Sequence, residues 1–191
     1  MVELIDNRLD DKTLASHLIH LLAAATAAYI HVAYLRASGV ALLRDATIEF
    51  LSRGGRLRVL TGGDFAQTEP DALQFFRTLG GDCEVKLISS SGLDGFHPKS
   101  YLFYAGPKAT LVVGSSNFTA GGLVQNIELN VRLNLAADHP AIIDPRAILE
   151  HLWNATPPLT DVRLDEYRRY WDACHRQAST FIYRLPLPAP S

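Results

Sequence analysis

The chain has 191 residues, of which 48% are apolar and 20% charged, so it is long enough to bury one substantial hydrophobic core. Its formal net charge of −2 excludes a global positive field as the means of attracting a polyanion, and any nucleic acid would have to bind a local patch. The two cysteines lie far apart, outside any structural-zinc spacing, and no segment has the features of a membrane span or an export signal. We therefore expect a cytoplasmic protein.

Strand-like and helix-like segments alternate along the first half of the chain. Hydrophobic period and Gly/Pro breakers predict strands at residues 2–5, 29–35, 57–60 and 85–88, and helices at residues 11–27, 40–51 and 71–79. A hairpin of strands 99–104 and 110–113 follows. This order predicts an α/β fold with a mixed or parallel sheet.

A further strand is predicted over residues 127–135 because apolar and polar residues alternate there. The apolar face carries Ile127, Leu129, Val131, Leu133 and Leu135, and the polar face carries Glu128, Asn130, Arg132 and Asn134. We expect the polar face to lie outside the core, as a site wall, an exposed surface or a dimer contact. Residues 145–176 then predict two helices around the Pro157-Pro158 breaker.

Two short motifs carry residues that suit phosphate chemistry. His97 and Lys99 stand two positions apart at the predicted start of a strand, so we expect both side chains on one face, about 7 Å apart along the backbone. Ser115 and Asn117 follow the next strand, where polar side chains and free backbone N–H groups suit an anion. From the polar face of the strand after that, Glu128 could orient the imidazole of His97.

These residue types suit phosphodiester cleavage through a covalent histidine intermediate. One neutral imidazole attacks phosphorus, a second protonates the leaving oxygen, and lysines and amides stabilise the charge on the equatorial oxygens, so no metal or other cofactor is required. Each motif alone also has a structural interpretation, such as a solvated strand surface or a helix cap at Asn117. Their conjunction favours a site, whereas we interpret Ser116 as structural and Tyr34 as a packing residue.

The motifs together resemble the single-motif members of the phospholipase D superfamily, particularly small bacterial nucleases and the nuclease domains of some restriction enzymes. The resemblance rests on His97-x-Lys99, on the Gly-Ser-x-Asn of residues 114–117 and on Glu128, eleven positions after Asn117, and it covers roughly residues 1–136. It implies a phospholipase-D-like mixed β-sheet sandwiched between helices. We accordingly expect a catalytic domain over residues 1–140, a C-terminal helical extension over residues 141–184 packing on the same domain, and a disordered tail over residues 185–191.

The resemblance also implies roles for individual residues. The family's histidine is the nucleophile, which falls on His97, and its acidic residue supports the histidine, which falls on Glu128. Phosphate binding falls on Lys99, Ser115 and Asn117. The family's fuller pattern has an aspartate five positions after the lysine, where this chain has Tyr104.

The mechanism needs two histidines, yet the chain has one motif and no internal repeat, which predicts a homodimer with the site on its two-fold axis. Family analogy favours DNA, single-stranded DNA included, over lipid, with a role in restriction, repair or phage defence. Similar domains are often fused to helicase or restriction modules, so the resemblance also implies a helicase or restriction-system partner. Two alternatives stay open: a catalytically idle nucleic-acid-binding or dimerisation module of a helicase-type system, and a phospholipase or other small phosphodiesterase.

Overall fold

The computed structural model describes residues 2–8, 12–89 and 95–182, with side chains described up to residue 176. The predicted helix start at residue 11 and the predicted tail at residues 185–191 lie outside this part of the chain. The strands are β1 Val2–Ile5, β2 Ala27–Val32, β3 Arg56–Gly62, β4 Asp82–Ile88, β5 Lys99–Ala105, β6 Lys108–Gly114 and β7 Asn130–Ala136. The helices are α1 Leu14–Ala24, α2 Ala37–Ser52, α3 Pro70–Thr78, α4 Pro140–Ala155 and α5 Asp161–Ile182.

The seven strands form one mixed sheet in the order β1-β7-β6-β5-β2-β3-β4. Strands β2, β3 and β4 are parallel to one another, as expected for strands joined through crossover helices, whereas β5, β6, β7 and β1 are paired antiparallel. The predicted α/β fold with a mixed sheet is confirmed. Within the described residues, no helix combines the length and the hydropathy needed to cross a bilayer.

Helices cover both faces of the sheet. Helix α1 is capped by the Thr13 side chain, which accepts from the backbone N–H of Ser16 at 3.3 Å. Its buried Leu14, Leu18 and Leu22 recur every four residues and join one core with α2, α3, α5 and the sheet. On the other face, α4 buries Ile142 in a second core built on β5 and β6.

The topology brings four strand ends to one edge of the sheet. Because β5 runs antiparallel to β2, the amino end of β5 lies beside the carboxyl end of β2, and Val32 pairs with Lys99. Likewise, Gly114 at the carboxyl end of β6 pairs with Asn130 at the amino end of β7. The residues of both phosphate motifs therefore meet at this edge, although they come from separate loops.

The last strand differs from its predicted form. Strand β7 starts at Asn130, three residues later than expected, so Ile127 and Leu129 lie before it and are 84% and 62% exposed. The expectation that Asn130 lies outside the core is wrong, because its side chain is 1% exposed and bonds to the buried Ser116. Periodicity alone could not show this, since a buried amide is stable wherever a polar partner meets it.

Candidate active site

His97 and Lys99 are in direct contact. Nζ of Lys99 lies 2.7 Å from Nδ1 of His97 and donates to the backbone carbonyl of His97 at 3.1 Å. His97 precedes strand β5 and is exposed, whereas Lys99 is the first residue of β5 and is buried. The two groups are therefore closer than two successive positions on one face of a strand would place them, because the long Lys99 side chain folds back onto His97.

Burial changes the chemistry of the lysine. Loss of hydration disfavours its charged form and lowers the pKa of Lys99 below that of an ordinary lysine, while the negative charge of Glu128 acts in the opposite direction. A partly desolvated ammonium interacts more strongly with a phosphate oxygen than one in bulk water, since the local dielectric is lower. This position suits an anion-binding group.

Sequence reasoning expected Glu128 to orient the His97 ring, but in the structure its carboxylate contacts Ser115 and Asn126 instead. Glu128 lies in the loop before β7, where it accepts from the hydroxyl of Ser115 and from Nδ2 of Asn126, the latter at 3.3 Å. The Ser115 hydroxyl in turn accepts from the backbone N–H of Leu129 at 3.0 Å. The carboxylate thus orients Ser115, and its negative charge is close enough to favour the charged form of Lys99.

Asn117 presents its amide from the turn after β6. Its Oδ1 accepts from the backbone N–H of Tyr34 at 3.0 Å, which leaves the NH₂ end of the carboxamide as a donor for a ligand. The same contact ties the end of β2 to the turn after β6. Asn117 therefore belongs to the edge that carries His97 and Lys99.

Buried polar groups fix the turn that carries Ser115. Ser116 is fully buried, and Asn130 Nδ2 donates to its hydroxyl at 2.9 Å. The hydroxyl of Tyr101 donates to the carbonyl of Ser116 at 2.9 Å. Ser116 thus has the structural surroundings expected of it, while Asn130 and Tyr101 are supporting residues that sequence reasoning missed.

Two glycines allow the backbone of this edge to pack closely. A Cβ at Gly114 would lie 2.2 Å from the carbonyl oxygen of Leu129, and one at Gly122 would lie 2.3 Å from the carbonyl oxygen of Asn117. No side chain fits at such distances, so both positions require glycine. The requirement for glycine at position 114 was already indicated by the Gly-Ser-x-Asn motif in the sequence.

A polar cavity of about 580 Å³ opens beside these residues. It is lined by Asn117 and Glu128 together with residues from the loop after β2 and from the loop after β3, including Tyr34, Arg36 and Gln67. Tyr34 also contacts His97, with ring centroids 5.8 Å apart and ring planes at 80°. Sequence reasoning had favoured packing for Tyr34 and had not singled out Arg36, because neither belongs to a local motif.

Tyr104, the position of the family's aspartate, lies outside this edge. It stands five positions after Lys99 on β5, about 17 Å along the strand, and an odd number of positions places the two side chains on opposite faces of β5. Its ring packs edge-on against Tyr29, and its hydroxyl accepts from Arg146 at 3.4 Å. The residue at this position therefore makes no direct contact with His97.

Comparison with known proteins identifies the family. The family model described as "Cardiolipin synthase, PLD-like domain" matches residues 18–153, which is more than half of the chain. The chain belongs to this phospholipase-D-like (PLD-like) family. The resemblance inferred from the His97-x-Lys99 and Gly-Ser-x-Asn motifs is confirmed, and the match spans every strand from β2 to β7.

Solved structures support the PLD-like fold. NucT from Helicobacter pylori superposes with a TM-score of 0.66 at 12% identity, covering 83% of this chain and 99% of that one. Nuc from Salmonella typhimurium, a phospholipase D family member, gives 0.58 at 18% identity and covers 84% and 99%. The phosphatidylserine synthase of Haemophilus influenzae Rd KW20 gives 0.63 at 11% identity, covering 97% of this chain and 48% of the synthase. No curated protein sequence matches the chain significantly.

Proposed function

We propose that the chain is a metal-independent phosphodiesterase, a DNA endonuclease that acts through a covalent phosphohistidine in a homodimer. The observation that carries the proposal is the contact of 2.7 Å between His97 and the buried Lys99, at the sheet edge that also presents Ser115 and Asn117. An imidazole, a desolvated ammonium and a free carboxamide donor are the groups that in-line attack on a phosphate uses.

The reaction proceeds in two displacements. A ring nitrogen of His97 attacks phosphorus, the bond from phosphorus to the leaving oxygen breaks, and the partner's His97 gives that oxygen a proton. The same imidazole of the partner then takes a proton from water, whose oxygen attacks phosphorus and breaks the P–N bond. Lys99 and Asn117 donate hydrogen bonds to the equatorial oxygens, and Glu128 acts on the site through Ser115.

An exposed apolar surface beside the site supports the homodimer. Ile127 and Leu129 flank Glu128 and are 84% and 62% exposed, and Val113 at the end of β6 is also exposed. Apolar side chains clustered around a polar site commonly mark an interface. A second copy seated here on a two-fold axis would cover them and bring the second histidine to the phosphate.

The lining of the neighbouring cavity favours a polyanionic substrate over a lipid. Its side chains are mainly polar, with Arg36, Gln67 and Asn117 among them, whereas an acyl chain requires an apolar channel. The phosphatidylserine synthase likeness and the description of the family keep phosphatidyl transfer as the second candidate. A role in DNA restriction, repair or phage defence, with a helicase or restriction-system partner, follows from the DNA substrate by analogy alone.

The experiment is cleavage of plasmid and single-stranded DNA in excess EDTA. We expect the wild-type protein to cut, His97→Ala to be inactive, and His20→Ala, which changes an exposed histidine on α1, to cut normally. Cleavage that EDTA abolishes would contradict the metal-free mechanism. Release of choline or p-nitrophenol from simple diesters without any DNA cleavage would favour the second candidate, and DNA binding without turnover would indicate an idle binding module.

A further inference from the structure

Phe65 is displayed on the surface in a strained conformation. It lies in the short 3₁₀ turn after β3 and is 75% exposed. Phe65 and Ala66 have φ angles of 59° and 50°, in the left-handed region that side chains disfavour. Strain of this kind persists only where the surrounding structure imposes it, and it is concentrated at functional sites.

Buried hydrogen bonds impose this conformation. The hydroxyl of Thr68, which is fully buried, donates to the carbonyl of Gly62 at 2.6 Å and accepts from the backbone N–H of Leu35 at 3.3 Å. The hydroxyl of Tyr167 on α5 donates to the Thr68 carbonyl at 2.8 Å. The turn is thus tied to β3, to the end of β2 and to α5, and it holds Phe65 outward.

The residue after this turn, Gln67, lines the polar cavity beside the candidate active site. Gln67 lines the polar cavity with Asn117 and Glu128, and its Nε2 donates to the carbonyl of Phe65 at 3.3 Å. Its Oε1 accepts from Nη2 of Arg36 at 2.7 Å, which places a guanidinium in the cavity. The turn that displays Phe65 therefore also carries Gln67, which lines the cavity and pairs with the cation of Arg36.

We propose that Phe65 is a nucleobase-stacking residue and that Arg36 binds the phosphate of the nucleotide that Phe65 stacks, so that the site selects strands with unpaired bases. This inference rests on the proposed function. A ring on a surface turn can stack on a base only if that base has left its duplex, because paired bases have both faces covered by neighbours. The fixed turn means that little ordering entropy is lost on binding.

The strained φ angle provides a test that separates binding from folding. Phe65→Gly removes the ring and also relieves the strain, since glycine adopts a φ near 59° without steric cost, so this variant is expected to fold at least as well as the wild type. Phe65→Trp keeps an aromatic face. Ile148→Ala is the matched control, because it shortens an exposed apolar side chain on α4, on the other face of the sheet.

The measurement is fluorescence anisotropy with a labelled oligothymidine and with a hairpin duplex, on chains that also carry His97→Ala. We expect Phe65→Gly to weaken oligothymidine binding about tenfold while duplex binding changes less than about twofold, and we expect Phe65→Trp and Ile148→Ala to bind like the parent. Equal losses on both ligands, or no loss on either, would overturn the inference.

A second assay distinguishes failure of this inference from failure of the proposed function. Hydrolysis of bis(p-nitrophenyl) phosphate by chains with His97 intact reports on catalysis in the absence of DNA, and the control Ile148→Ala should leave it unchanged. Hydrolysis without binding of either DNA would overturn the stacking role but leave the phosphodiesterase. Phe65-dependent oligothymidine binding without any hydrolysis would support the stacking role and contradict the proposed catalysis.

Discussion

Nζ of Lys99 contacts Nδ1 of His97 at 2.7 Å, although only Lys99 belongs to a strand. The intervening Pro98 ends the preceding loop, and its carbonyl accepts from the backbone N–H of Ala33 at 2.9 Å. This bond fastens the loop of His97 to the end of β2. The proposed nucleophile and the neighbouring Lys99 are therefore held in place by hydrogen bonds to the sheet.

Replacement of Lys99 should remove most of the activity. Lys99→Met keeps the length of the buried side chain and deletes its charge, so we expect kcat for DNA cleavage to fall by about 10²–10³, the range found when one donor to a transition-state oxyanion is removed. Lys108→Met, at the exposed far end of the β5–β6 hairpin, is the control and should keep wild-type kcat. Equal activity in the two variants would contradict a phosphate-binding role for Lys99.

Substitution of Gly114 should disrupt the edge of the sheet. The Cβ of Gly114→Ala would lie 2.2 Å from a backbone carbonyl oxygen, so β6 and β7 would have to separate, and we expect a loss of more than about 2 kcal/mol in the free energy of unfolding. Gly80→Ala is matched to it, because a Cβ there meets nothing within 4 Å. Urea denaturation measures both, and a Gly114→Ala variant as stable as Gly80→Ala would contradict the packing described.

Buried His31 should make folding sensitive to acid. It is 4% exposed on β2, its Nδ1 has no hydrogen-bond partner among the described residues, and burial lowers the pKa of His31 to about 4. The His31 ring binds a proton near pH 6.5 in the unfolded chain and only near pH 4 in the folded chain. The free energy of unfolding therefore has its full value above pH 6.5 and decreases as the pH falls toward 4. The shift from 6.5 to about 4 corresponds to about 3 kcal/mol.

The check is urea denaturation of wild type and His31→Leu at several pH values between 4 and 7. The variant should lose the part of the acid sensitivity that His31 contributes, because leucine binds no proton. His20→Leu, which replaces an exposed histidine on α1, should retain the wild-type slope. Identical slopes in the wild type and His31→Leu would show that His31 is not the group responsible.

Mixing experiments should reveal a shared site. If each phosphate needs His97 from both subunits, a mixed dimer of wild type and His97→Ala is inactive, so equal amounts of the two chains should give about one quarter of the wild-type activity after subunit exchange. Independent sites would give about one half.

Leu129→Asp should dissociate the dimer and lower activity, whereas Ile148→Asp, on the exposed side of α4, should do neither.

The sequence was sufficient for the parts of the site that are local. His97-x-Lys99 and the Gly-Ser-x-Asn motif are short, and their positions at strand ends follow from the boundaries of β5 and β6, which hydrophobic period predicted to within two residues. Tyr34 and Arg36 could not be found in this way. They reach the site only because β2 pairs antiparallel with β5, a long-range pairing that no local pattern records.

The alternating strand shows where period fails. The pattern of residues 127–135 predicted one strand with an apolar inner face. Residues 127–129 instead precede β7, and the backbone N–H of Leu129 donates to the Ser115 hydroxyl. On one face of β7, Arg132 contacts His17 of α1 at 3.2 Å. On the other face, Leu133 and Leu135 join the second core, which includes Ile142 of α4. An alternating pattern identifies the two faces of a strand but cannot show which of them is covered.

The most direct test of the account is capture of the covalent intermediate. End-labelled single-stranded DNA is mixed with excess protein in EDTA, quenched in alkali, where a phosphorus–nitrogen bond on histidine survives, and mapped by peptide mass spectrometry. We expect an adduct on His97 that disappears in His97→Ala, persists in His20→Ala and is lost after acid treatment. Rapid cleavage with no adduct at any time point, or an adduct on another residue, would contradict His97 as the nucleophile.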